Sequence, residues 1–141
     1  MNLSLLRHGF LLILLGLLTG FLVPALALPR LALAAHTIAL LSGAFLILLG
    51  AIWAQFTLSR HAGHTMKWLW IYSSYANWLG CLIGAATGAG KMTPIAAMGS
   101  SGPLWAETLV AILLISVGIT ALIAAILSLW GLRVGSNKPA T

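Results

Sequence analysis

Acidic side chains are almost missing from this chain: Glu107 is the one carboxylate among 141 residues, set against seven Lys or Arg. General-acid catalysis by a carboxylate is therefore poorly supplied. Cysteine is nearly absent too, and the single Cys81, inside an apolar stretch, excludes an internal disulfide. Charged residues make up only 6% and apolar residues 61%, against roughly 25% and 45–50% in soluble domains. A chain with so little polar surface cannot fold alone in water, so its core is shared with lipid, with other protomers, or with both. No zinc signature, dinucleotide fingerprint or nucleophile–base triad is present, and Gly88-Ala89-Gly90-Lys91 lacks the spacing of a phosphate loop. The formal charge of +6 sits at the ends of apolar segments. It forms no basic stripe interleaved with aromatics, so it reads as membrane orientation and a nucleic-acid partner is rejected.

What the chain does have is long apolar runs. Crossing about 30 Å of hydrocarbon takes roughly 20 residues of helix. Four segments qualify, at about 8–28, 31–58, 66–87 and 104–132. They are too long and too continuously apolar for barrel strands. The expected fold is all-α: one domain, 1–141, forming an integral membrane bundle of four transmembrane helices, with a short cytoplasmic tail at 133–141. Pro29-Arg30 and Ser59-Arg60-His61-Ala62-Gly63-His64 read as the first two turns, and the stretch from Gly88 to Pro103, rich in Gly, Pro and Ser, as a longer third connection. Arg7, Arg60, Lys67, Arg133 and Lys138 then fall on one side and Arg30 and Lys91 on the other. Five against two puts both termini in the cytoplasm. Trp53, Trp68, Trp70, Trp105 and Trp130 lie near span ends, as interfacial belts require. Arg7, the first run and Ala25-Leu26-Ala27 also have the look of a cleaved signal peptide, but the run exceeds the usual length and its removal would expose a seam, so retention is expected.

Inside these spans ionisable groups are rare, and a rare one defaults to function. His36 is the one imidazole at membrane depth. Either it is neutral and bonded to a neighbouring hydroxyl, or it binds a metal or haem. His36, Gly43 and Gly50 repeat every seven residues and share a face. Those glycines either let helices pack closely or leave room beside His36 for a flat ligand. Gly80, Gly84 and Gly88, and Gly16 with Gly20, form further small-residue rows. On the third span Ser73, Asn77, Gly80, Cys81 and Gly84 fall on one face. The serines can be interhelical hydrogen-bonding groups, whereas Asn77, with four positions to satisfy, is expected to line a site. His8, His61 and His64 read as solvated interfacial groups. Glu107 reads as a first-turn acid favoured by the helix dipole, with an orienting or catalytic part as the minority view.

Several stretches carry a resemblance. Arg7-His8-Gly9-Phe10-Leu11-Leu12, Ala34-Ala35-His36, Tyr75-Ala76-Asn77-Trp78-Leu79, Gly88-Ala89-Gly90-Lys91-Met92-Thr93-Pro94-Ile95-Ala96 and the closing Leu129-Trp130-Gly131-Leu132-Arg133 resemble the small hydroxylaminobenzene mutases of nitroarene-degrading bacteria. The likeness spans nearly the whole chain, and its most specific part is Tyr75–Ala96. More distantly, the His-Gly start, the lone second-span His and the third-span Asn are similar to styrene oxide isomerases. The resemblance implies an isomerase of the bacterial inner membrane that turns an aryl hydroxylamine into an ortho-aminophenol by an intramolecular, Bamberger-type hydroxyl shift. From the epoxide isomerases it implies a homotrimer with ferric haem b between protomers, His36 as axial ligand and Asn77 in the place of their third-helix Asn; the spacing of Gly43 would then set it beside that cofactor. Ser42, Ser73 and Cys81 stand where those enzymes have Asn, Asp and Tyr, which favours the mutase over epoxide-to-aldehyde rearrangement. Asn77, with Ser73 or Tyr75, would orient the nitrogen and oxygen of a small aromatic substrate.

Three other classes compete. A b-type cytochrome subunit would ordinarily need two axial ligands, and one His lies at depth. A four-helix drug exporter would want an acid in an early span, and the first three contain none. A purely structural membrane protein would use the same polar groups as packing contacts.

Overall fold

The computed structural model describes residues 1–132; the expected tail at 133–141, with Arg133 and Lys138, lies outside the described residues. The fold is all-helical: α1 (Leu3–Leu22), α2 (Pro29–Ala51), α3 (Arg60–Thr87), the single turn α4 (Pro94–Ala97) and α5 (Leu104–Gly131). Leu3–Ala25, Pro29–Ala51 and Leu104–Gly131 are long and apolar enough to cross a membrane. α3 equals α5 in length, at 28 residues, but its cations, serines and Asn77 make it the most polar of the four long helices.

Local chemistry sets the ends, and it moves several of the expected bounds. α1 starts before His8 because the Asn2 side chain caps it, accepting from the Leu5 N–H at 3.4 Å. It passes into a 3-10 turn at Val23–Ala25, where Pro24 cannot donate to a continuing helix. Pro29 opens α2 at a position that needs no N–H. The second connection is displaced towards the N-terminus: α2 ends at Ala51, short of the expected 58, and the chain passes through a 3-10 turn at Trp53–Gln55. Ser59 is an N-cap whose hydroxyl accepts from the Ala62 N–H at 3.3 Å, so Arg60–His64 are helix and not turn. α3 ends at Gly88, which takes the left-handed conformation at φ 77° that a side chain would resist.

The long helices pack in chain order: α1 against α2, α2 against α3, α3 against α5. α1 and α2 run antiparallel and approach until backbone meets backbone. A Cβ at Gly43 would lie 2.7 Å from the Gly9 carbonyl oxygen, and one at Gly9 would lie 2.7 Å from that of Gly43. The seven-residue spacing of His36, Gly43 and Gly50 does put them on one face, and that face meets α1. α1 also reaches α3, where Trp78 Nε1 donates to Thr19 Oγ1 at 3.1 Å. Apolar side chains elsewhere point outward: Phe21 is 82% and Leu129 73% exposed. Such faces suit a hydrocarbon solvent.

The connection between α3 and α5 is held by the one acid. Glu107 is buried, and its carboxylate accepts from the backbone N–H groups of Gly90 at 3.2 Å, Lys91 at 3.1 Å and Gly102 at 2.9 Å. The carboxylate thus clasps both limbs of the loop, a role that its position in the first turn of α5 alone does not reveal.

Candidate functional site

α3 winds so that Ser73, Ser74 and Asn77 share a stripe, since residues three and four apart are neighbours on a helix. That stripe opens into a cleft of about 330 Å³, whose other walls are Leu41, Ser42 and Phe45 from α2 and Val117 and Ala121 from α5. Trp70 closes it one turn away. Its ring meets Phe45 edge to face at 4.6 Å, and its Nε1 donates to Ser128 Oγ at 3.0 Å. The Trp70 carbonyl accepts from Ser74 Oγ at 2.7 Å and from Ser73 Oγ at 3.2 Å. The Asn77 carboxamide and the Ser42 hydroxyl are half-buried and make no hydrogen bond among the described residues. The cleft is thus an apolar slot with four polar groups gathered on two facing helices.

His36 lies elsewhere. Its Nδ1 sits 2.7 Å from the Gly16 carbonyl oxygen of α1, and a carbonyl can only accept, so Nδ1 carries the proton. Nε2 is left with its lone pair. A ring nitrogen fixed this way on a backbone carbonyl is the usual preparation of an imidazole for metal ligation. The partner is a carbonyl and not the hydroxyl expected of a purely structural His36. Gly20 supplies the seat, since a Cβ there would lie 2.9 Å from Nδ1 and 3.0 Å from Cε1. His36 and Ser42 are six residues apart, about 240° round the helix and about 9 Å along it. Within one protomer, His36 and the cleft therefore occupy different faces of α2.

Four sequence expectations change here. Gly43 borders α1 and offers no open space for a cofactor, because Gly9 and Ile13 fill it. Tyr75 does not join Ser73 and Asn77: two residues from Asn77, it lies about 200° away on α3. Its hydroxyl donates to the His8 carbonyl oxygen at 3.2 Å and stands 3.3 Å from His8 Nδ1. His8 is correspondingly half-buried and partnered, not simply solvated. The expected face from Ser73 to Gly84 divides between neighbours, with Cys81 buried among Leu31, Ala32 and Ala35 of α2, and Gly80 against Leu114 of α5. Ser42 does line the cleft. Ser74, Phe45 and Trp70 were missed, although the Trp70, Ser74, Asn77 spacing was available to place them together. Among the described residues no three His, Cys, Asp or Glu side chains gather to hold a metal ion.

An all-helical bundle with three helices long and apolar enough to cross a membrane defines a membrane protein; the comparisons make it an isomerase. Residues 1–133 match the styrene oxide isomerase family, and the chain belongs to it. It is 45% identical over 130 residues to hydroxylaminobenzene mutase HabB of Ectopseudomonas oleovorans, covering 92% of this chain and 79% of that protein. It is 40% identical over 126 residues to hydroxylaminobenzene mutase HabA of the same organism, covering 89% and 93%. No solved structure matches the chain significantly.

Proposed function

We propose that this isomerase rearranges aryl hydroxylamines such as hydroxylaminobenzene to ortho-aminophenols in the cleft of Ser42, Ser73, Ser74 and Asn77, and that His36 holds haem b. The observation that carries the first part is the meeting of those four polar groups with Phe45 and Trp70 in one apolar slot. An arene lies against the two aromatic rings, and its nitrogen and oxygen face Asn77 and the serines. Asn77, whose amide makes no hydrogen bond among the described residues, can donate to the hydroxylamine oxygen. Leu41, Val117 and Ala121 keep water from the ring, so that the hydroxyl returns to the ortho position of the same molecule and solvent does not add at para.

The second part rests on the donor set. His36 offers Nε2, with Nδ1 secured on Gly16, and would hold a haem iron through that nitrogen. Ferric haem held there would supply a Lewis acid for the leaving oxygen, a need that one carboxylate, engaged with three backbone N–H groups, does not meet. His36 and the cleft lie on different faces of α2, so a haem on His36 would act on a cleft only across a protomer boundary, and a homotrimer with haem between protomers is what the resemblance to the epoxide isomerases implies. α3 completes a set of four spans, and the distribution of Lys and Arg supports a bacterial inner-membrane protein with both termini cytoplasmic.

The test is an absorption spectrum of the detergent-purified protein beside His36→Ala, with haem supplied during expression. A Soret band lost in the variant, together with turnover, is the expected result. Turnover that survives without haem would refute the Lewis-acid part and leave the cleft. The family name favours a second reading, aryl epoxide to aldehyde, and parallel assays with phenylhydroxylamine and styrene oxide separate the two.

A further inference from the structure

Each serine hydroxyl has one proton to give and two lone pairs to offer. In the cleft both protons are directed at the same backbone oxygen, that of Trp70, from Ser74 Oγ at 2.7 Å and Ser73 Oγ at 3.2 Å. Ser73 is 4% and Ser74 5% exposed. Turning either proton towards a ligand breaks an internal bond where water does not make good the loss. What the two serines present to the cleft is therefore lone pairs.

From this we infer that Ser73 and Ser74 are paired acceptors that select substrates bearing N–H or O–H groups, so the cleft takes an aryl hydroxylamine ahead of an aryl epoxide. The inference rests on the cleft being the substrate site. An aryl hydroxylamine brings two donors, one on nitrogen and one on oxygen, that match two acceptors. An epoxide brings only lone pairs, which meet those of the serines and can bond only to the Asn77 amide and the Ser42 hydroxyl. A site built to receive a donor discriminates against an analogue lacking it, because its own polar groups are then left unpaired. Ser73 and Ser74 are in this sense specificity determinants, and neither has to move a proton.

The experiment compares wild type with S73A/S74A in detergent, reading equilibrium binding of phenylhydroxylamine and of styrene oxide by tryptophan fluorescence, and kcat/KM where there is turnover. Two neutral hydrogen bonds predict about a tenfold loss of phenylhydroxylamine affinity in the double variant, with styrene oxide bound at least as tightly as by wild type. Equal losses for both compounds, or none for either, would overturn the inference. The single variants Ser73→Ala and Ser74→Ala, read in the same way, keep the test decisive if the double variant does not fold. A wild type that binds phenylhydroxylamine selectively without rearranging it would sink the mutase reading and leave the selection rule standing. A wild type that rearranges it, with variants that discriminate as before, would do the reverse.

Discussion

The Nδ1 of His36 lies 2.7 Å from the backbone oxygen of Gly16, so α1, which contributes nothing to the cleft, decides which nitrogen of the one deep imidazole is free. Gly20, one turn on, leaves the space in which the ring sits. In Gly20→Ala the new methyl collides with the ring, and the bond to Gly16 should break. Haem content should fall several-fold while circular dichroism stays that of wild type. Nitrogen-15 shifts of labelled histidine in haem-free protein should show the Nδ1–H tautomer lost. An unchanged tautomer would show that the glycine is mere packing.

Gly43 belongs to the contact between α1 and α2. A Cβ there would lie 2.7 Å from both Gly9 O and Ile13 Cγ1. Gly43→Val should cost about 1–3 kcal/mol as an overpacked contact, visible as a lower melting temperature in detergent. Unaltered melting would return Gly43 to the role of open space beside a cofactor.

Tyr75 and Asn77, both expected at the site, should now separate in kinetics. Tyr75→Phe loses the bond from the phenol to the His8 carbonyl and should cost about 1 kcal/mol of stability with kcat/KM for phenylhydroxylamine held. Asn77→Ala should lower kcat/KM by at least about tenfold, or about 1.4 kcal/mol in the transition state. The opposite pattern would put the reaction on the other face of α3.

Glu107→Gln tests the loop clasp. The amide would turn an NH₂ group towards backbone N–H donors that now meet carboxylate oxygens. Melting should drop by several degrees, and limited proteolysis between Gly88 and Pro103 should accelerate, with turnover of the folded enzyme unchanged. A variant that stays stable but loses turnover would restore the catalytic role considered from sequence.

Long apolar runs reveal themselves in sequence because crossing hydrocarbon demands them, and each long helix falls on one of those runs, although α2 ends at Ala51 and not near 58, and α3 starts at Arg60 and not near 66. Their ends depended on smaller signals: the Ser59 cap turned an expected loop into the first turn of α3. Helical spacing placed His36 with Gly43 and Gly50, and Ser73 with Asn77, but periodicity says which residues share a face and not what the face meets. Only the packing of α1 against α2 assigns Gly43 to a helix contact, and only the fold brings Ser42 and Phe45 to α3. Glu107 was illegible for the same reason, since its three donors lie 17, 16 and 5 residues away in sequence.

The most direct test is the product formed by the purified protein from phenylhydroxylamine in water enriched in oxygen-18. The proposal predicts 2-aminophenol whose hydroxyl oxygen comes from the substrate and carries no solvent label. Failure to form it, or an aminophenol that has taken its oxygen from the water, would contradict an intramolecular hydroxyl shift in this cleft.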